Sequence, residues 1–113
     1  MSVKIQFIEG IDEITLPLIR LTKSRNGQTG TATFLFIKPS IFEIFNSQFS
    51  PINGMYLLWD NKKIVTKDID IVFKEGKPFL IKSILLFKNS SDWFNFLNFM
   101  SLYSKETGLF FGE

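Results

Sequence analysis

Asp68 and Asp70 come nearest to a catalytic pair in this chain. Alternate residues of a strand share a face, so both carboxylates would point the same way, with Cα atoms roughly 6.5 Å apart. Such a pair suits acid–base work or a hard cation; a solvated strand face uses the same residues. Glu9, Asp12 and Glu13 form a second acidic cluster, but the fixed ligand offsets of a calcium loop are missing, and a wet turn is the plainer reading. The 113 residues include no His and no Cys. The commonest general base, the commonest metal ligand and the thiol nucleophile are therefore absent, as is any disulfide. Gly27 and Gly30 do not form a phosphate cradle, which needs a third glycine and a helix directly following. Gly27 reads as a turn residue and Gly30 as a point of close backbone approach. No metal, cofactor or catalytic residue is expected, and the chain reads as a binding protein rather than an enzyme.

The stronger candidate is a surface. Asn26-Gly27 is the dipeptide that best tolerates the positive φ angles of a type I′ hairpin turn. With the turn there, Ser24 faces Thr29, Thr22 faces Thr31 and Arg20 faces Thr33, and one side of the hairpin is polar. Ile19 with Phe34 and Leu21 with Ala32 then make the other side apolar. A one-residue slip would mix the two sets, so turn and pattern agree on one register. Arg20, Thr22, Thr31 and Thr33, with Lys23 and Arg25 near the tip, present donors and charge suited to the carboxylates and carbonyls of a partner protein. A sheet that simply faces water on one side would use threonine too.

Bulk composition narrows the partner class. Apolar residues are 45% of the chain and the length fits one domain, 1–113, with a real core. The longest apolar runs, such as Ile84-Leu85-Leu86-Phe87, fall far short of the roughly 18–20 residues that cross a bilayer. No basic, acid-poor leader precedes Val3, so no targeting peptide is expected. The net charge is +2, and the basic residues are dispersed. That argues against a phosphate-tracking surface and hence against nucleic acid.

The elements that must position these residues can be read in order. Val3 to Ile8 alternates as a first strand, a turn follows, and Leu18–Ser24 with Thr29–Ile37 form the hairpin. Pro39 opens a short helical segment through Phe45, with Pro at its first position. Asn46 to Asn53 reads as a loop. Strands are then expected at Gly54–Trp59, at Ile64–Lys74 with Ile69, Ile71 and Phe73 on one face, and at Phe79–Lys88. The last is apolar on both faces, as for a strand covered from both sides. Tight turns between these three suggest an antiparallel meander. Asn89-Ser90-Ser91-Asp92 starts a helix that runs to about Lys105 and stops at Gly108. Its stripe, Trp93, Phe96, Leu97, Met100 and Tyr103, should lie across the sheet. The fold class is therefore α+β: a predominantly antiparallel sheet built from a hairpin and a three-strand meander, with a C-terminal helix packed on it and a short middle helix. Phe94 lies off the stripe and, with Phe42, Phe45 and Phe49, could form an apolar docking patch.

Arg20 through Phe34, followed by Phe36 and Pro39, resembles the signature hairpin of the photosystem II Psb-twenty-eight family, soluble assembly factors of cyanobacteria and plastids. Further matches follow in order: Lys4-Ile5-Gln6-Phe7, Gly10-Ile11-Asp12-Glu13, Gly54-Met55-Tyr56, then Trp93, Phe96, Phe99-Met100, Tyr103 and Gly108-Leu109. They span nearly the whole chain; Ile41 to Ile52 departs most, with added apolar residues. The resemblance implies a non-catalytic factor that binds transiently to photosystem II assembly or repair intermediates, including core antenna and reaction-centre subunits. It also implies a place peripheral to the thylakoid membrane, on the stromal side in a plastid or the cytoplasmic side in a cyanobacterium. Two other classes stay open on the residues alone: a small ion-binding protein or enzyme using Asp68 and Asp70, and a β domain whose edge pairs with itself.

Overall fold

The computed structural model describes residues 3–26, 29–44 and 52–109. Two antiparallel sheets of four strands share one core with a long helix. The first sheet contains β1 (Val3–Ile8), β2 (Ile11–Asp12), β5 (Met55–Trp59) and β6 (Lys62–Thr66), in the order β2-β1-β5-β6. The second contains β3 (Leu18–Lys23), β4 (Gly30–Ile37), β7 (Ile69–Lys74) and β8 (Lys77–Phe87), in the order β3-β4-β8-β7. The helices are α1 (Ile41–Ile44) and α2 (Ser90–Thr107). The α+β class, the antiparallel pairing and both helices agree with expectation. Pro39 is not the first residue of α1; it stands two residues before it, and its carbonyl accepts from the Phe42 amide at 3.1 Å.

The meander is where the sequence reading needs correction. A single strand was expected over Ile64–Lys74, whereas β6 ends at Thr66 and β7 begins at Ile69 in the other sheet. The hydroxyl of Thr66 explains the break. It donates to the Ile84 carbonyl at 2.7 Å and accepts from the Asp68 amide at 3.1 Å, while the Ile69 amide turns back to the Lys67 carbonyl at 3.0 Å. These bonds satisfy main-chain groups at the crossing, where the chain leaves one ladder and enters the next. The expected meander is thus two hairpins, one in each sheet. Both close on two residues with positive φ, Asp60-Asn61 (46° and 63°) and Glu75-Gly76 (53° and 80°), the geometry whose twist matches the flanking strands. Register shifts between Val72 and Phe73, opposite Pro78, whose missing N–H suits an irregular ladder position.

Alternation decides what enters the core. From β1 come Val3, Ile5 and Phe7; from β5, Met55, Leu57 and Trp59; from β4, Ala32, Phe34 and Phe36; from β8, Ile81, Leu85 and Phe87. The sheets meet directly where Phe7 and Phe36 pack edge to face, centroids 4.9 Å apart. Helix α2 covers the remaining apolar surface with Trp93, Phe96, Phe99, Met100 and Tyr103. Phe99, absent from the expected stripe, is fully buried between Trp59 and Tyr103, and Leu97 is only half-buried. Both ends of α2 follow the expected signals. Asn89 accepts from the Asp92 amide at 2.8 Å, and Gly108 (φ 78°) returns its amide to the Ser104 carbonyl at 2.8 Å.

Glu13 overturns the wet-turn reading. It is buried, and its carboxylate accepts from the Thr15 amide (2.9 Å), the Ser40 amide and hydroxyl (both 2.7 Å) and the Ile41 amide (2.9 Å). One side chain thus ties the β2–β3 link to the start of α1, supplying a charge at donors that α1 leaves unpaired. Burial, and secondarily the Glu13 charge, push the Tyr103 phenol up to about 12. Asp12 works elsewhere, at the β1–β2 turn. It accepts from Gln6 Nε2 at 2.7 Å, while Gln6 Oε1 accepts from the Gly10 amide at 2.9 Å and closes that turn.

Glu13→Ala strands several buried donors and is expected to cost about 3 kcal/mol, read as a lower urea midpoint at unchanged slope. Gly30→Ala would place a Cβ 2.5 Å from the Thr22 main-chain oxygen. Because that atom belongs to the paired strand, the clash should cost about 2 kcal/mol in the same measurement. For Tyr103, the unfolded phenol ionises near 10 and the folded one near 12. Unfolding therefore releases a proton in that window, and stability falls as pH rises from about 10 towards 12. In a Tyr56→Phe protein, tyrosinate absorbance should rise with a midpoint near 12.

Candidate functional site

Strands β3 and β4 pair in the register that the turn and the alternation predicted: Arg20 with Thr33, Thr22 with Thr31, Ile19 with Phe34, Leu21 with Ala32. Leu21, Ala32 and Phe34 are buried, which fixes the opposite side as the outward one. Arg20 and Thr22 are exposed there, with Thr31 and Thr33 half-buried. At the tip, Ser24 donates its amide to the Thr29 carbonyl at 2.9 Å and its hydroxyl to Asn26 Oδ1 at 2.6 Å. Arg25 is exposed beside it; Gly27 of the expected turn lies outside the described residues.

Lys23 does not join this group. Its parity is that of Ile19 and Leu21, and its ammonium stands 5.6 Å from the centroid of the Trp93 ring on α2. A cation held over an indole face is attracted by the ring quadrupole, so Lys23 links the hairpin end to the helix. Arg20, Thr22, Thr31 and Thr33 thus make one coherent face, Arg25 sits at the tip, and Lys23 lies on the reverse.

The edge of the hairpin matters as much as its face. β3 ends the order β3-β4-β8-β7, with no further strand beside it among the described residues. The Ser24–Thr29 bond marks a hydrogen-bonded pair, so Thr22, Arg20 and Leu18 also exchange bonds with β4. Ile19, Leu21 and Lys23 therefore direct their main-chain N–H and C=O groups away from β4, towards the open edge. This outward row is a template for an added strand.

The other sequence candidates are scattered. Asp68 lies in the β6–β7 crossing and Asp70 on β7 opposite Lys82; both are exposed. Among the described residues no group of three acidic side chains gathers around one point. Phe94 is exposed on α2, whereas Phe42 is half-buried against the core. Phe45 and Phe49 lie outside the described residues. The apolar surface that sequence reasoning missed is elsewhere. Strand β8 is covered on one face only, with Leu86 65% exposed on the other. The run Ile84-Leu85-Leu86-Phe87 looked buried on both sides because its outer positions are aliphatic, not because anything covers them.

A sequence profile of the family described as Psb28 protein matches residues 5–111. A photosystem II reaction center Psb28 protein of Guillardia theta is 43% identical over 107 residues, 95% of this chain and 92% of that protein. Proteins of the same name from Trieres chinensis and Nostoc punctiforme are 44% identical over 111 residues and 39% over 106, covering 98% and 94% of this chain and 96% and 92% of theirs. Similarity of this extent, running through the β3–β4 hairpin and both ends of the fold, means that the chain belongs to the Psb28 family.

Proposed function

We propose that this protein is a non-catalytic assembly or repair factor that binds photosystem II intermediates transiently, from the stromal side of a plastid thylakoid or the cytoplasmic side of a cyanobacterial one. The names of its relatives support the photosystem II association. Among the described residues no helix is long and apolar enough to cross a membrane, which suits a peripheral role. The absence of His and Cys from the sequence suits a role in binding rather than turnover. Core antenna and reaction-centre subunits are the partners this reading names.

The single observation behind the mechanism is the open β3 edge. An extended tail of a membrane subunit can lie along it, pairing with the main-chain groups of Ile19, Leu21 and Lys23, while alternate side chains meet Arg20 and Thr22 on the outward face. Main-chain bonds supply affinity in such an arrangement. Arg20 and Arg25 supply steering, because guanidinium groups bind carboxylates and carbonyls in a fixed fork.

Lys23 is a poor choice for a test, since reversing its charge would also disturb Trp93. Arg20→Glu combined with Arg25→Glu leaves the core untouched. It should lower co-sedimentation with photosystem II assembly intermediates purified from thylakoids by at least tenfold, with unchanged circular dichroism. Wild-type binding by this variant would remove the hairpin from the contact.

A further inference from the structure

Four rows of side chains cross the outward face of the second sheet. Row by row they are Thr22–Thr31–Leu86, Arg20–Thr33–Ile84, Leu18–Leu35–Lys82–Asp70 and Ile37–Leu80–Val72. The polar hairpin face is only one corner of this surface. Away from the tip, aliphatic side chains take over. Leu18 is 63% exposed, Leu86 65%, Ile37 44% and Val72 43%. Leu35, Leu80 and Ile84 fill the spaces between them at half exposure. A sheet face turned to water is ordinarily polar, and a contiguous aliphatic surface crossing four strands marks a contact site.

Its charges select the occupant. Arg20 and Lys82 stand within the face against one acid, Asp70, and Lys82 sits on the central strand β8 with Leu35 on one side. A bilayer would have to bury that ammonium at the middle of the contact rather than at its rim. A second copy docked through the same face would bring the Arg20 and Lys82 cations of both copies into one apolar interface. A protein segment carrying aliphatic side chains with carboxylates among them satisfies both features. At the tip end of the sheet, a shallow depression of about 450 Å³ lined by Thr22, Lys23, Thr31, Leu86 and Lys88 offers a seat for one such side chain.

We propose that this face is a second docking surface, distinct from the β3 edge, for an apolar segment of a partner protein whose carboxylates meet Lys82 and Arg20. It rests on the photosystem II reading only in the choice of the first probe.

The test uses the full chain and photosystem II assembly intermediates purified from thylakoids of the encoding organism. Leu86→Ser combined with Val72→Ser should weaken binding at least tenfold, and Lys82→Glu should do the same while Lys82→Arg does not. Leu58→Ser, on the outward face of the first sheet, should bind as wild type, and melting curves confirm that each variant is folded. Wild-type affinity for both the Leu86/Val72 and the Lys82→Glu variants overturns the inference even if the Arg20/Arg25 variant is impaired. Failure of the wild-type protein to bind these complexes overturns the photosystem II reading instead. The face is then judged by a photo-crosslinking residue at position 86 in living cells. Adducts to a protein segment with aliphatic residues and Asp or Glu, lost on Lys82→Glu, support the inference. Adducts to a second copy or to lipid, or no adduct at all, overturn it.

Discussion

Phe7 and Phe36 touch edge to face from opposite sheets, and that contact is possible only if each strand turns the right set of alternate residues inward. Parity is the constraint beneath the whole fold. Once Phe36 faces Phe7, Phe34 must lie on the same side, where it meets Phe96 of α2 at 6.0 Å. Ala32 then faces inward beside Leu21, and Arg20, Thr22, Thr31 and Thr33 are carried outward. Slipping β3 by one residue would bury an arginine and expose a leucine, at a cost of several kcal/mol. The outward face of the hairpin is thus fixed by the core, because the same alternation assigns both.

This coupling explains why the hairpin was legible. Ile19 and Leu21 alternate with Arg20 and Thr22, Ala32 and Phe34 alternate with Thr31 and Thr33, and Asn26-Gly27 is a turn signal in the sequence; both signals give the register that β3 and β4 adopt. The ends of α2 were equally plain, since Asn89 and Gly108 act through local geometry that a short sequence window contains. The break at Lys67-Asp68 was hidden because β-branched residues continue on both sides of it, Ile64, Val65 and Thr66 before and Ile69, Ile71 and Val72 after, although Ile64 and Ile69 differ in parity. Only the bond from Thr66 to Ile84, eighteen positions away, marks where the strand ends. Glu13 was hidden for a related reason: its donors at Ser40 and Ile41 lie far along the chain, and nothing near it in sequence marks it as buried. Periodicity also overreached. It reported the outer leucines and isoleucines of β8 as covered, because it registers side-chain type and not what lies against it.

Acidic pairs illustrate the same limit from the chemical side. Asp68 and Asp70 lie two apart, as the strand argument required, yet only Asp70 belongs to a strand and its cross-strand neighbour is Lys82. Two carboxylates on a wet edge, with a lysine opposite one of them, have nothing to hold them near a reacting group or an ion. Among the described residues the buried carboxylate is Glu13, and its bonds to Thr15, Ser40 and Ile41 all serve the fold itself. Charge that could act on a partner therefore lies on exposed side chains, Arg20 and Lys82 of the second sheet among them, and not in the interior.

Among the described residues four strands end their sheets, and they are not equivalent as templates for an added chain. β2 has two residues, too few to guide a partner. β7 belongs to a ladder whose register shifts at Val72/Phe73, so a strand laid along it would meet a kink. β6 offers five residues but begins with Lys62 and Lys63, and edge lysines discourage pairing. β3 alone combines six residues, an unbroken register and a regular partner behind it. Its outward side chains run into the aliphatic rows on β4 and β8. A segment paired along β3 would thus already be placed to lay its next residues across that face, and the second contact would be made at high effective concentration. Edge and face then reinforce each other without any movement of the sheet.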